Sequence, residues 1–332
     1  MSSLIQFISR LIPLELIHIL IGLVAILAFI GVNGLVLVYV ERKVAGFIQR
    51  RPGPFEVGPW GILQTLADAV KLMGKQLFSP SGGDRLLFWL APMLAFAPLP
   101  LLFMTIPVGK NLVAFDANLG LILILAFSGL NVLALCFAGW GSYNKWSLLG
   151  AIRSVSQAVA YEIPMLLAVL AVTLTTGTLQ LSAIVDAQGV WPWQWHFLTQ
   201  PAGFIIYLIC AFAETNRAPF DLPEAESELT AGFHTEYSGM GFGLFFLAEY
   251  SSMVVVSSVC TVLFLGGWKG PGPEILGFVW FFAKVYGLVL LMMWVRWTFP
   301  RVRFDQLLNI SWRWLIPLSL FNLLYVAAVV KI

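Results

Sequence analysis

Eight apolar runs of bilayer-crossing length, or close to it, constrain this chain more than any other feature. A spanning helix needs about 20 mostly apolar residues, with a range of about 17–25. The runs cover 16–40, 86–108, 119–140, 158–179, 197–213, 241–267, 275–299 and 314–330. The fifth is the weakest, because its clean apolar core is only 201–213. Strands of a membrane barrel would be about 10 residues long and alternate in polarity; these runs are long and continuous, so helices are expected. Composition agrees. Of 332 residues, 59% are hydrophobic and 11% are charged, against about 45–50% and about 25% in a soluble domain. Such a chain is not a disordered segment, a nucleic-acid-binding domain or a disulfide scaffold. The expected fold is an all-α integral membrane protein. It is read as one polytopic domain over 1–332 with about eight transmembrane helices.

Lys and Arg set the orientation. Fourteen of the 19 fall in the loops between spans one and two, three and four, five and six, and seven and eight. Arg10, Lys110, Lys269 and Lys331 lie on the other side, and Lys284 lies inside span seven. The richer side is expected to face the cytoplasm, or the matrix of an organelle, with both termini outward. The first residues lack a basic start and a small-residue cleavage site, so no removable signal peptide is expected. Within the inner loop 41–85, Ile62, Leu66, Val70, Met73 and Leu77 share one helical face, and Gln64, Asp68, Lys71 and Lys75 another. That predicts an amphipathic helix over 62–77 lying in the membrane plane, which by itself reads as a surface anchor. A rigid basic turn, Arg50-Arg51-Pro52-Gly53-Pro54, precedes it.

The inner loop 214–236 is the most informative segment. It holds Glu214, Asp221, Glu224, Glu226, Glu228 and Glu236, with Arg217 as the only full cation. A solvated acidic loop is one reading. The other follows from Phe220, Leu222, Leu229, Phe233 and Tyr237 among the acids, which suggest a folded, partly buried loop. Crowded, poorly solvated carboxylates bind protons more tightly, and groups that exchange protons near neutrality suit a proton path. Glu162 and Glu249 lie inside expected spans, where a charge costs about 2.5–3.5 kcal/mol on insertion scales. They read as a proton relay facing the bundle interior, or as neutral hydrogen-bonded core residues. Lys284 is a candidate counter-charge for either, and Pro164 frees backbone groups near Glu162. Arginines at span ends, such as Arg42 and Arg296, are either topology anchors or a polar rim on an apolar chamber. A lipid-like molecule with a polar head could enter such a chamber from the membrane.

Other chemistries lack their residues. Cys136, Cys210 and Cys260 are isolated in apolar runs and read as inert thiols. The three histidines form no metal motif, there is no phosphate-binding loop, and 239–243 opens a span rather than following a strand. Those glycines read as close helix packing. No metal or cofactor is expected to be held by this chain.

Several stretches together resemble one family. They are Glu41-Arg42-Lys43, Gln49-Arg50-Arg51-Pro52-Gly53-Pro54, 57–64, 67–71, Phe137-Ala138-Gly139-Trp140, 149–153, Tyr161-Glu162, 214–239, 245–250 and 301–307. The chain is similar in these, and in their order, to the H subunits of proton-pumping NADH–quinone oxidoreductase, respiratory complex I. The mitochondrial counterpart is NADH dehydrogenase subunit 1. The resemblance implies a membrane subunit at the junction with the peripheral arm, forming much of the chamber through which quinone enters. It implies that Arg42, Arg51, Asp68 and Arg296 border the chamber and that the in-plane helix shapes its mouth. It further implies a proton route through Glu41, Glu214, Asp221, Glu224, Glu226 and Glu228, continued by Glu162 and Glu249. Quinone, with ubiquinone as first choice, would be the substrate. FMN and iron–sulfur clusters would sit in partner subunits. The implied partners are the peripheral-arm subunits of the quinone site, neighbouring membrane subunits and the lipid bilayer, with no nucleic acid. The implied location is the bacterial inner (plasma) membrane, with the mitochondrial inner membrane as alternative. A related subunit of a proton-pumping hydrogenase and a free-standing proton or ion transporter are the competing readings. The full 49–71 segment and acidic loop favour the quinone enzymes.

Overall fold

A computed structural model describes residues 14–110, 112–222 and 231–331 of the chain. The helices are α1 (Leu14–Ile48), α2 (Gln64–Gly74), α3 (Arg85–Phe96), α4 (Pro98–Thr105), α5 (Gly120–Gly141), α6 (Lys145–Thr176) and α7 (Leu181–Ala187). They continue with α8 (His196–Thr199), α9 (Pro201–Glu214), α10 (Gly239–Phe264), α11 (Gly277–Thr298), α12 (Phe304–Ile310) and α13 (Ile316–Lys331). The protein is an all-α integral membrane protein. Among the described residues, seven helices are long and apolar enough to cross a membrane. Two of them are composite. α3 and α4 run on as Arg85–Thr105. α12 and α13 join through a π-turn, Ser311–Leu315, where Pro317 has no N–H to offer the carbonyl one turn back.

The fifth expected span differs from expectation. α9 has 14 residues, which at about 1.5 Å each make roughly 21 Å, short of a hydrocarbon core of about 30 Å. It is a half-span. Gly203, Ile206, Tyr207 and Cys210 to Ala213 are buried within the bundle. The short outer helices α7 and α8 precede it, with Leu181, Ile184 and Val185 fully buried. Backbone that is not one continuous helix is tolerated in a bundle when protein surrounds it.

The fourth span also differs. Its apolar run begins at 158, yet α6 begins at Lys145 and runs for 32 residues. Asn144 caps it by accepting from the Trp146 N–H at 3.0 Å. The added turns carry Ser147, Ser154 and Gln157, all buried. Hydropathy detects lipid-facing runs and misses a helix whose polar side chains are buried against protein. Gly177, at φ +70°, ends α6 in the left-handed conformation that favours glycine.

α10 lies at the centre, with 78% of its apolar window buried against 22% for α1. The amphipathic helix forms as α2, shorter than the expected 62–77. Leu66, Val70 and Met73 on it are exposed by half or more, an apolar face turned away from the protein as an in-plane helix requires. Its end packs on the start of α10: a Cβ at Gly239 would lie 3.1 Å from the Lys75 carbonyl. The glycines of 239–243 thus serve close packing.

Candidate functional site

The basic loops and the acidic segment meet on one face of the bundle, and their charges pair there. Glu41, 4% exposed near the end of α1, meets partners from three directions. The Arg296 guanidinium donates to Oε1. The Tyr250 hydroxyl donates to Oε2 at 2.6 Å. Arg217 stands 3.7 Å from Oε1. Arg217 itself is buried, lies 4.5 Å over the Tyr250 ring, and pairs with Glu249 at 3.3 Å. A chain of alternating charge therefore runs Arg296, Glu41, Arg217, Glu249, from the end of α11 into α10. Burying this much charge is costly unless each group is paired, and the alternation supplies those pairs.

The other expected residues fare differently. Arg42 and Asp68 come together at 2.6 Å, joining α1 to α2, and Gln64 also donates to Asp68. Asp221 is buried and pairs with Arg301 at 3.2 Å, while the Val302 N–H donates to the Pro219 carbonyl. Those two contacts tie the acidic loop to the segment after α11. Arg51 does not join these pairs by any contact described; its guanidinium turns back on Gln49 at 2.6 Å. Glu224, Glu226 and Glu228 lie outside the described residues. Lys284 is not the counter-charge of Glu162 or Glu249. Its ammonium donates to the carbonyls of Leu265, Gly267 and Lys269 and sits 3.9 Å over the Trp195 ring. These carbonyls belong to the turn that follows α10, and a cation there also suits the negative end of the helix dipole.

The described parts of the loop, 214–222 and 231–236, fold around these groups, and Leu229 lies outside the described residues. Phe220, Leu222, Phe233 and Tyr237 are buried. The Tyr237 ring stacks on Phe88 at 4.2 Å and its hydroxyl donates to the Phe88 carbonyl. Burial pushes this phenol well above its ordinary range, so it stays a neutral donor. Glu236 accepts from Asn144 at 2.8 Å.

Inward of the charge chain lie two adjoining cavities. One of about 20 Å³ is lined by Glu249, Thr215, Asn216 and Glu214. One of about 60 Å³ is lined by Glu214, Ser128, Tyr207 and apolar chains such as Leu99, Ile124 and Val255. Asn131, Glu214, Ala248 and Ser252 border both. A water needs about 10–15 Å³ of such space and a few polar partners, so both can be wet along their polar sides. Glu162, from α6, lies near enough to Glu214 for their charges to interact. The arrangement can hold protons on several carboxylates and pass them through short water bridges.

Sequence reading missed Arg217, Tyr250 and Arg301 as site residues. A signal existed for the first: one cation among six acids is placed to be shared. Tyr250 and Arg301 become legible only when α1, α10 and the 299–303 segment are in contact.

The fold and this site define a polytopic membrane subunit whose polar face is wired by buried ion pairs to carboxylates inside the bundle. A family model described as NADH dehydrogenase matches residues 21–327. The chain is 50% identical to the NADH-quinone oxidoreductase H subunit of Desulfotalea psychrophila, over 96% of this chain and 98% of that one. It is 48% identical to the H subunit of Dehalococcoides mccartyi strain CBDB1, over 94% and 86%. With the H subunit of Bacteroides thetaiotaomicron the identity is 45%, over 92% and 89%. The chain belongs to this family, the H subunits of NADH-quinone oxidoreductase. It is a multi-pass membrane subunit of that enzyme complex and not a catalyst by itself.

Proposed function

We propose that this chain walls the chamber through which quinone enters the complex, and that it begins the carboxylate route coupling quinone reduction to proton translocation. The observation that carries this reading is Glu41, held by Arg296 on one side and facing Arg217 on the other, with Arg217 reaching Glu249. In this reading Arg42, Arg51, Asp68 and Arg296 form the polar rim, and α2 shapes the mouth that the quinone tail passes. Reduction of the head group places transient negative charge beside the rim. Where the dielectric is low, such a charge acts on its neighbours far more strongly than in water. Arg217 is drawn toward it and its hold on Glu249 changes. A proton then moves among Glu249, Glu214 and Glu162, with Asp221, Glu224, Glu226 and Glu228 feeding the same route.

The substrate is a quinone, ubiquinone as first choice, and the flavin and iron–sulfur clusters belong to partner subunits. Peripheral-arm subunits of the quinone site and neighbouring membrane subunits are the partners, and 1–332 acts as one polytopic domain. The bacterial plasma membrane is the location we favour, supported by the bacterial relatives.

The test compares variants in the assembled complex. Asp68→Asn is expected to raise KM for quinone with little change in kcat. Glu214→Gln and Glu249→Gln are expected to lower coupled turnover by about a hundredfold, the scale of a lost proton-transfer group. Undiminished proton translocation in both Glu variants would overturn the reading.

A further inference from the structure

α6 presents one continuous stripe to the acidic loop. Positions 147, 150, 154 and 157 recur every three or four residues and so share a helix face. The Ser147 hydroxyl donates to the Phe233 carbonyl at 3.0 Å. Gly150 leaves room for the loop backbone, since a Cβ there would lie 3.0 Å from the Gly232 Cα. Gln157 is fully buried on the same stripe. Its amide Nε2 donates to the Ala213 carbonyl at 2.8 Å and the Phe220 carbonyl at 2.9 Å, and meets Asn216 Oδ1 at 3.3 Å.

Those three acceptors sit at both ends and the middle of the 213–220 turn. That turn carries Glu214 and Arg217 and leads directly into Asp221. Three acceptors around one nitrogen also settle which way the amide points. Its other atom, Oε1, has no hydrogen-bond partner among the described residues. Gln157 therefore acts through its donor end. The turn it holds includes Asn216 at φ +49°, a left-handed conformation that Asn tolerates better than most residues and that surrounding contacts help to hold.

We infer that Gln157 is a positioning residue of the coupling route: its amide fixes the 213–220 turn, and thereby sets where Arg217 stands between Glu41 and Glu249 and where Glu214 meets the cavities. The inference rests on the reading above that these carboxylates carry protons.

The experiment uses the whole complex in native membranes, normalised to assembled complex content. Gln157→Met keeps the length of the side chain and removes the donor. Gln157→Leu keeps much of its volume and removes both polar atoms without adding a charge. A role in packing alone tolerates both. A positioning role predicts that kcat with quinone falls at least about tenfold in each, as misplaced reacting groups do, while KM for quinone stays at its wild-type value. Wild-type kcat in both Gln157 variants, with turnover lost in Glu249→Gln, would overturn this inference and leave the route standing. Wild-type turnover in all three would overturn the route itself. Failure of both Gln157 variants to assemble would mark a purely structural role and also overturn the inference.

Discussion

Arg217 shows how much one buried side chain can decide. It is 2% exposed and stands between two carboxylates from different helices. Removing the guanidinium leaves those carboxylates buried without their shared counter-charge, a change that typically costs about 3–5 kcal/mol. Arg217→Met is therefore expected to lower the thermal midpoint and yield of assembled complex sharply. Adding Glu249→Gln to it should recover much of that loss, because neutralising both members of a buried pair is far milder than orphaning one. A double variant as unstable as the single one would show that Arg217 matters for reasons other than this pairing. At this scale the sequence was half legible. Glu162 and Glu249 stand out because a carboxylate inside an apolar run is costly and needs a reason, and Glu214 because it opens a loop crowded with acids. Gln157 and Tyr250 do not, because an amide or a phenol in a helix is ordinary until its three acceptors or its carboxylate partner arrive from residues far along the chain.

Among the elements, α10 is fixed at its outer end by side chains from three other segments. Gln188 donates to the Val262 and Leu263 carbonyls. His196 Nδ1 meets the Leu263 carbonyl at 2.9 Å. Lys284 takes Leu265 and Gly267. Gln188 and His196 fill carbonyls that the end of a helix leaves unpaired, and Lys284 fills those of the turn just beyond it. None of this was visible from hydropathy, which reads His196 and Gln188 as loop and Lys284 as a charge in search of an acid. The collar carries a pH dependence. Burial holds the His196 imidazole below its ordinary 6.5, with its bond to Leu263 opposing. As pH falls below about 6.5 the unfolded imidazole takes up its proton before the folded one, so the unfolded state is favoured and stability is lost. The thermal midpoint of the complex is expected to drop between pH 7.5 and 5.5, and His196→Gln should flatten that part of the curve. An unchanged slope in the variant would assign the dependence to other groups.

For the whole molecule, the central position of α10 joins what the sequence keeps apart. One helix bears Tyr250 and Glu249 at the charge chain, and Ala248 and Ser252 at both cavities. The spans themselves were readable because the bilayer demands length and apolarity, and the half-span α9 was readable as the weakest of them. The proposed route between spans was not, since a cavity is a property of packing and no single run encodes it. That route gives a test independent of any titratable group. Ala248 faces both cavities and carries no charge, so Ala248→Leu fills space without removing a carboxylate. A cavity of about 60 Å³ next to it can take much of the added volume, which keeps the overpacking cost near the low end of about 1–3 kcal/mol. If protons cross there by water bridges, translocation per NADH oxidised should fall in the assembled Ala248→Leu complex while the Glu41–Arg217–Glu249 pairs persist. Ala248→Ser, which keeps the space open and adds a polar group, should pump as the wild type does. Equal pumping by the Leu and Ser variants would overturn a proton path through these cavities.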